Sequence, residues 1–319
     1  GDATFDLGGQ WLGPGQHRVS RLVAQAGLHT FPTFHSGKKI LNNDGQISTY
    51  DSSIPSISPI NLVVLQLALM RVEHERKKIP LTAPMRAPRA AELDNTTVET
   101  LKRKLIPTRG VRAIFDAATR VIFGAEPAEL SLLHFLTYLN AGGGLLKLSE
   151  IEGGAQQDRF VEGAQALSHY LADQLDNKPV TQFPVRKIEQ LKTKVVIHSD
   201  TGKVSAKRVV MAIPPTLASK IDYTPSMPTS RTRLTQGTNM GQTIKCIATY
   251  DEAFWRTKGF SGEVVATQGP ITVIFDNTSF DGKQPALLAF LVGQEGRRWS
   301  EQSDEHRKQM VLANFAKYF

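Results

Sequence analysis

The hydrophobic period of this 319-residue chain changes once, near residue 180, and no other feature constrains the fold as strongly. Before that point, apolar residues recur at helical spacing, as in the segment 17–26. Beyond it, short alternating segments typical of strands dominate, such as 243–250 and 286–292. Helices first and clustered strands later predict an α+β chain, whose sheets combine distant stretches of the sequence.

Turn and capping residues predict several local boundaries. Residues 3–7 are predicted to form a short strand that runs into a glycine pair. Residues 194–198 and 208–213 are predicted to pair as a hairpin. Thr96 and Glu99 have the spacing of a capping box, which predicts that a helix begins there.

Composition and charge exclude several classes of protein. The 38 basic and 30 acidic residues give a formal charge of +8, but the basic residues are scattered and no aromatic-rich RNA signature accompanies them, so we expect no nucleic-acid partner. The most apolar stretch, residues 60–72, is shorter than the about 20 residues of a spanning helix, so we expect no membrane segment in this chain. The single cysteine, Cys246, excludes an internal disulfide framework and fits a reducing compartment, from which we expect a cytoplasmic location.

Three features of the sequence indicate chemistry, and each has a structural alternative. Glycines in the segment 8–13 allow a flat ligand to approach the backbone, although a plain turn explains them equally well. The polar segment 153–159 is either a binding loop or a solvated loop. Lys245 lies in an alternating strand, where a surface lysine is the commoner case, but a buried lysine would lose its proton easily and act as a base or hold a water.

Read together, four segments resemble the flavin-containing monoamine oxidase family. Residues 6–14 are similar to the strand and turn that pass the flavin ring, and residues 154–159 with Gly163 to the active-site loop. Residues 212–215 resemble the end of the second cofactor-binding segment, and residues 244–256 the strand that carries a flavin-facing lysine. The four segments occur in the family's order over essentially the whole chain.

The resemblance implies an α+β or α/β fold with two kinds of domain. One is the remnant of a glutathione-reductase-like Rossmann domain that binds FAD, formed by residues 1–30 and 160–235. The other is a substrate-binding domain of mixed sheet and helices, formed by residues 31–159 and 236–319.

The family's roles can be transferred residue by residue. Lys245 would be the catalytic residue that holds a water near the reactive nitrogen of the flavin. The predicted cofactor-binding residues are Gly8, Gly9, Gln10 and Trp11 at the flavin and Val185 at the adenosine half. The predicted substrate-binding residues are Trp11, Val121, Tyr138, Ser149 and Gln156.

The implied reaction is the FAD-dependent oxidation of a small-molecule amine by molecular oxygen, with aldehyde, ammonia and hydrogen peroxide as products. The sequence lacks the family's N-terminal glycine-rich fingerprint and its C-terminal aromatic pair and flavin-linked cysteine. From this we expect a fragment that binds FAD weakly or not at all. A polyamine oxidase, an amino-acid oxidase, a desaturase relative and a non-catalytic remnant that binds a partner remain open as alternatives.

Overall fold

The computed structural model describes residues 4–52, 54–55 and 57–319. The chain divides into two compact units, the larger formed by residues up to 170 together with 242–319, and the smaller by residues 171–241. The smaller unit overlaps the segment predicted as the second FAD-binding piece. Residues 4–30, predicted as the first such piece, belong to the larger unit together with the predicted substrate-binding pieces. Which parts of the chain bind FAD therefore remains a prediction.

The strands of the described residues are short to medium in length. They are β1 Trp11–Leu12, β2 Thr30–Pro32, β3 Lys38–Asn43, β4 Gln46–Tyr50, β5 Asp158–Phe160, β6 Val185–Gln190, β7 Val195–Ser199, β8 Gly202–Ala206, β9 Asp222–Thr224, β10 Thr243–Thr249, β11 Phe260–Ala266, β12 Val273–Asp276 and β13 Ala286–Val292.

The α-helices fall mainly in the first half of the chain, as the hydrophobic period predicts. They are α1 His17–Gln25, α2 Pro59–Arg76, α3 Ala90–Asp94, α4 Val98–Leu105, α5 Arg109–Phe123, α6 Leu132–Ala141, α7 Leu145–Ser149, α8 Gln165–Asp173, α9 Pro215–Ala218, α10 Thr229–Gly237, α11 Phe254–Thr257, α12 Gly293–Ser300 and α13 Asp304–Tyr318. Short 3-10 turns lie at Pro84–Arg86 and Pro127–Glu129.

The larger unit is organised around a six-stranded mixed sheet in the order β10-β13-β12-β11-β3-β4. Strands β11 and β3 are parallel, whereas the other neighbours are antiparallel. Strand β13 is apolar at nearly every position, because it lies in the interior of the sheet with both faces covered. Trp255 and Ile274 are fully buried in the core on one side of this sheet.

A second core lies among the helices of the larger unit. Helix α6 buries Phe135, Leu136 and Leu139, which meet at helical spacing. Helix α5 ends at Gly124, whose φ of 62° is the left-handed conformation that glycine tolerates best at a helix C-terminus. Residues of α5 and α6 pack together in this core, and α5 also lines the cavity described below.

Two smaller sheets complete the fold. In the larger unit, β1, β5 and β2 form an antiparallel sheet in the order β1-β5-β2. In the smaller unit, β8-β7-β6-β9 form a four-stranded sheet accompanied by α9 and α10. Helices and sheets together confirm the predicted α+β class.

Three of the local predictions need correction. The strand predicted at 3–7 is absent over residues 4–7, where the carbonyl oxygen of Asp6 accepts from a lysine side chain rather than from a neighbouring strand; residue 3 lies outside the described residues. The partner of β7 is β8 at 202–206 rather than 208–213, since a tight turn pairs Ser199 directly with Gly202. The N-cap of α4 is Thr97, whose Oγ1 accepts from the amide of Thr100.

Candidate active site

Lys245 lies on the edge strand β10, and its side chain points inward. The side chain is only partly exposed, and Nζ donates to the Gly8 carbonyl oxygen at 3.0 Å and to Gln10 Oε1 at 2.6 Å. It also donates to the main-chain carbonyl of Asp6. Three oxygen acceptors from one five-residue segment therefore fix the ammonium group, and the alternative of a solvent-exposed lysine does not hold.

The environment of Lys245 changes its protonation. Burial lowers the pKa of Lys245 from its usual 10.5 to about 8, because the charged form is poorly solvated there. The Asp6 carboxylate opposes this change and the Arg159 guanidinium adds to it. The three oxygen acceptors favour the ammonium form, so Lys245 is charged at neutral pH and can release its proton in mildly alkaline solution.

Gln10, one of the acceptors of Lys245, is itself held by buried polar side chains. Gln10 Nε2 donates to Asn277 Oδ1 at 3.0 Å, and both residues are almost fully buried. The preceding residue, Asp276, accepts from the Trp255 indole at 2.8 Å and from two nitrogens of Arg256 at 2.6 and 2.8 Å. Because Asp276 anchors the end of β12, it also fixes Asn277 and, through Gln10, the acceptors of Lys245.

A row of directly paired residues on adjacent strands extends from Lys245 across the sheet. Lys245 is the cross-strand partner of Phe290, Phe290 of Val273, and Val273 of Val265. Directly paired residues share a face of the sheet, so the lysine and these apolar side chains lie on the same face. Trp11 packs against this face, with its ring centroid 6.0 Å from that of Phe290.

A largely apolar cavity of about 120 Å³ lies on this sheet face beneath the helices. Val265, Val273 and Phe275 form its sheet side, and α5 contributes Ile114 and Val121 from above. The polar groups at its wall are Tyr50, Ser149, Glu150, Gln156 and Glu263. An apolar cavity with a few polar groups is the usual form of a small-molecule site.

The structure brings most of the predicted site residues together. Val121, Ser149 and Gln156 line the cavity. Trp11 lies beside it, with its ring centroid 5.3 Å from that of Phe275, and β1 places Trp11 directly after Gln10.

The remaining predicted residues lie elsewhere. Tyr138 was predicted near the cavity wall, but the structure puts it in a second groove with Pro14 and Lys147. The reason is that α6 turns Leu136 and Leu139 into the core, which leaves Tyr138 on the outer side of the helix. Val185 begins β6 in the smaller unit, and its predicted contact with adenosine remains a prediction.

Sequence reasoning missed several residues of the site. Phe290 lies in the strand predicted at 286–292 and Phe275 in β12, but nothing in these two segments indicates that they face the same side as Lys245. Glu263 had a visible signal, a single acid in the apolar strand β11. Asn277 could be found only from the contact it makes with Gln10, more than 260 residues earlier.

Other kinds of site find no support in the described residues. No group of three or more histidine, cysteine or acidic side chains in the described ranges could hold a metal ion. Within the same ranges, the helices are too short or too polar to span a lipid bilayer.

Comparison with known proteins identifies the family. The family model described as flavin-containing amine oxidoreductase matches residues 1–319. The chain is 36% identical over 321 residues to the probable flavin-containing monoamine oxidase A of Dictyostelium discoideum, covering 100% of this chain and 70% of that protein. It is 30% identical over 316 residues to the flavin-containing amine oxidase A of Canis lupus familiaris, covering 98% of this chain and 60% of that protein.

Solved structures agree with this result. The cyclohexylamine oxidase of Brevibacterium oxydans IH-35A superposes with a TM-score of 0.92 at 26% identity, covering 99% of this chain and 70% of that one. The resemblance predicted from four short segments is thereby confirmed. The chain belongs to the family of flavin-containing amine oxidoreductases, enzymes that use FAD to oxidise amines.

Proposed function

We propose that this protein oxidises a small-molecule amine to an imine, which water converts to an aldehyde and ammonia, while oxygen is reduced to hydrogen peroxide. The observation that supports this proposal best is the position of Lys245, held by three oxygens of residues 6–10 on the sheet face that also lines an apolar cavity.

We also propose a cytoplasmic location, which rests on the free thiol of Cys246 and which cell fractionation would check.

The residues around Lys245 fit a flat, polar-edged ring such as the flavin. Gly8 and Gly9 are exposed, and a Cβ atom added to either would meet no heavy atom of the described chain within 4 Å. Trp11 Nε1 and Gln156 Oε1 are buried without a hydrogen-bond partner among the described residues. Buried polar atoms are normally bonded, so each of these two has capacity for a bound molecule.

The chain's own residues would prepare the amine for oxidation. The flavin, when bound, supplies the redox chemistry by accepting hydrogen from the amine α-carbon. The apolar wall formed by Trp11, Phe275 and Phe290 disfavours a charged ammonium and thus favours the neutral, reactive amine. Lys245 would hold a proton beside the ring, with a water there in place of one of its three protein acceptors, and Gln156 would orient the substrate through its unpaired oxygen.

The glycine pair allows a test of cofactor binding that leaves the fold intact. We expect Gly9→Val to keep the free energy of unfolding within about 0.5 kcal/mol, because the added atoms meet only open space. The affinity for FAD should fall about tenfold or more, since the same atoms would overlap the bound ring. Fluorescence titration with FAD measures this affinity. Gly15→Val is the matched control, because Gly15 is also exposed with open space around it, and its FAD affinity should equal the wild-type value.

The proposed reaction is tested with the protein at its full natural length, loaded with FAD. Addition of a panel of primary amines should consume oxygen and release hydrogen peroxide and ammonia in equal amounts for at least one amine. A protein that retains FAD but produces no peroxide with any amine of the panel would contradict the proposal and favour a non-catalytic relative.

A further inference from the structure

Three charged side chains form a cluster in the wall of the apolar cavity. Lys39 Nζ lies 3.1 Å from Glu263 Oε2 and 3.5 Å from Glu150 Oε2. The side chains of these three residues are only 12%, 10% and 17% exposed, respectively. Both carboxylates line the cavity. We refer to these three residues as the charged cluster.

Alternation along β11 places Glu263 on the same face as Val265, two residues later, and both line the cavity. The register with β3 shifts just before Val264, at Gly262, whose φ is +80°. A Cβ at Gly262 would lie 3.0 Å from Asp276 Cβ, so glycine is required there. Ser261 Oγ accepts from the Glu263 amide at 3.1 Å and stabilises the irregularity.

The charges of the cluster do not balance. Burial works to lower the pKa of Lys39, but Glu263 and Glu150 outweigh it and raise that pKa, so Lys39 is charged. Burial raises the pKa of Glu263. With both acids ionised, two carboxylates face one ammonium in a poorly solvated cavity, and buried charges are stable only when they are paired. Glu263 Oε2, although close to Lys39, makes no hydrogen bond of good geometry with the described residues.

We propose that the charged cluster is a subsite for a second cationic group of the substrate, so that the enzyme prefers diamines to monoamines of equal length. The proposal rests on the amine oxidation proposed above. Glu263 of the cluster and Lys245 lie on the same sheet face. Glu263 is on β11 and Lys245 on β10, and these strands are three spacings apart. At about 4.8 Å per spacing this corresponds to roughly 14 Å between the strands, so one end of an extended substrate can meet the cluster while the other end reacts.

The test compares α,ω-diamines of four to ten carbons with alkylamines in which a methyl group replaces the second amino group. For the wild type, we expect kcat/KM of at least one diamine to exceed that of its alkylamine by about tenfold, the effect of one charge-assisted hydrogen bond. Glu263→Gln should reduce this ratio about tenfold, because it removes one of the two charges that would pair the second ammonium. Glu150→Gln should act in the same direction. Glu152→Gln is the matched control, because Glu152 lies in the same loop with its side chain 85% exposed, and it should not change the ratio.

The outcomes separate this inference from the proposed function. If alkylamines are oxidised but the wild type shows no preference at any length, the subsite is refuted and the oxidase function stands. If the preference exists but survives both Glu263→Gln and Glu150→Gln, the charged cluster is not its cause. If no amine is oxidised, the proposed function itself fails. Turnover of the alkylamine by each variant shows that it is folded, and Glu150→Gln decides the question if Glu263→Gln does not fold.

Discussion

Replacement of Lys245 by methionine is expected to lower oxygen uptake during amine turnover by about 10²- to 10⁴-fold, the range in which a positioned proton-transfer group acts. Methionine keeps the length of the side chain but cannot donate to Gly8, Gln10 and the carbonyl of Asp6. The measurement is kcat/KM for oxygen with a saturating amine. Lys38→Met is the control, because Lys38 is an exposed lysine in the same sheet, and its rate should match the wild type. A Lys245→Met enzyme within twofold of the wild type would show that the lysine has no part in the reaction.

The pH dependence of the same rate provides an independent check on Lys245. Its pKa of about 8 means that the ammonium is present below this pH and is lost above it. We expect kcat/KM for oxygen to fall as the pH rises through about 8 in the wild type, and this fall to be absent in Lys245→Met. The effect on stability has the opposite sign: between pH 8 and 10.5 the unfolded chain binds more protons than the folded one, so burial of this group costs less as the pH rises.

Asp276→Asn is expected to reduce the free energy of unfolding of the larger unit by about 3–5 kcal/mol. The carboxylate is 1% exposed and bonds the Trp255 indole and the Arg256 guanidinium, so its neutralisation leaves a partly buried arginine without its counter-charge. Urea unfolding followed by tryptophan fluorescence measures the change. Asp281→Asn is the control and should leave the unfolding transition nearly unchanged, because Asp281 and its partner Lys283 form a surface pair.

A loss below about 1 kcal/mol for Asp276→Asn would contradict the anchoring role of Asp276. The variant should also weaken FAD binding, because Asn277 would no longer be held against Gln10. Asp281→Asn should leave FAD binding unchanged. The two readouts together distinguish an anchor of the site from a residue that only stabilises the sheet.

The sequence predicted the part of the site that local periodicity controls. Alternation in β10 identified the strand that carries Lys245 but left open whether the lysine is buried, and the glycines at 8–9 allowed a close approach of a flat ligand. The resemblance to a family then connected the two segments. The sequence could not show the contacts that bury the lysine, because the oxygen acceptors of Lys245 lie more than 230 residues earlier in the chain.

Which faces of the strands and helices border the cavity could not be predicted from the sequence. Alternation places Glu263 on the same face of β11 as Val265, but nothing in the strand itself shows that this face borders a cavity. Tyr138 was misplaced for a related reason: helical periodicity shows that α6 has a buried face, but not which cavity its outer face borders. Tertiary contacts decide both positions.

The most direct test of the central claim is a crystal structure of the protein with FAD bound, in which the distance from Lys245 Nζ to the nearest atom of the flavin ring is measured. We predict a separation of about 5–6 Å, the sum of two ordinary hydrogen bonds, with one water that bonds both groups and replaces one of the three protein acceptors of Nζ. A flavin ring that lies against another part of the chain, with Lys245 still bonded only to residues 6–10, would contradict the assignment of this site.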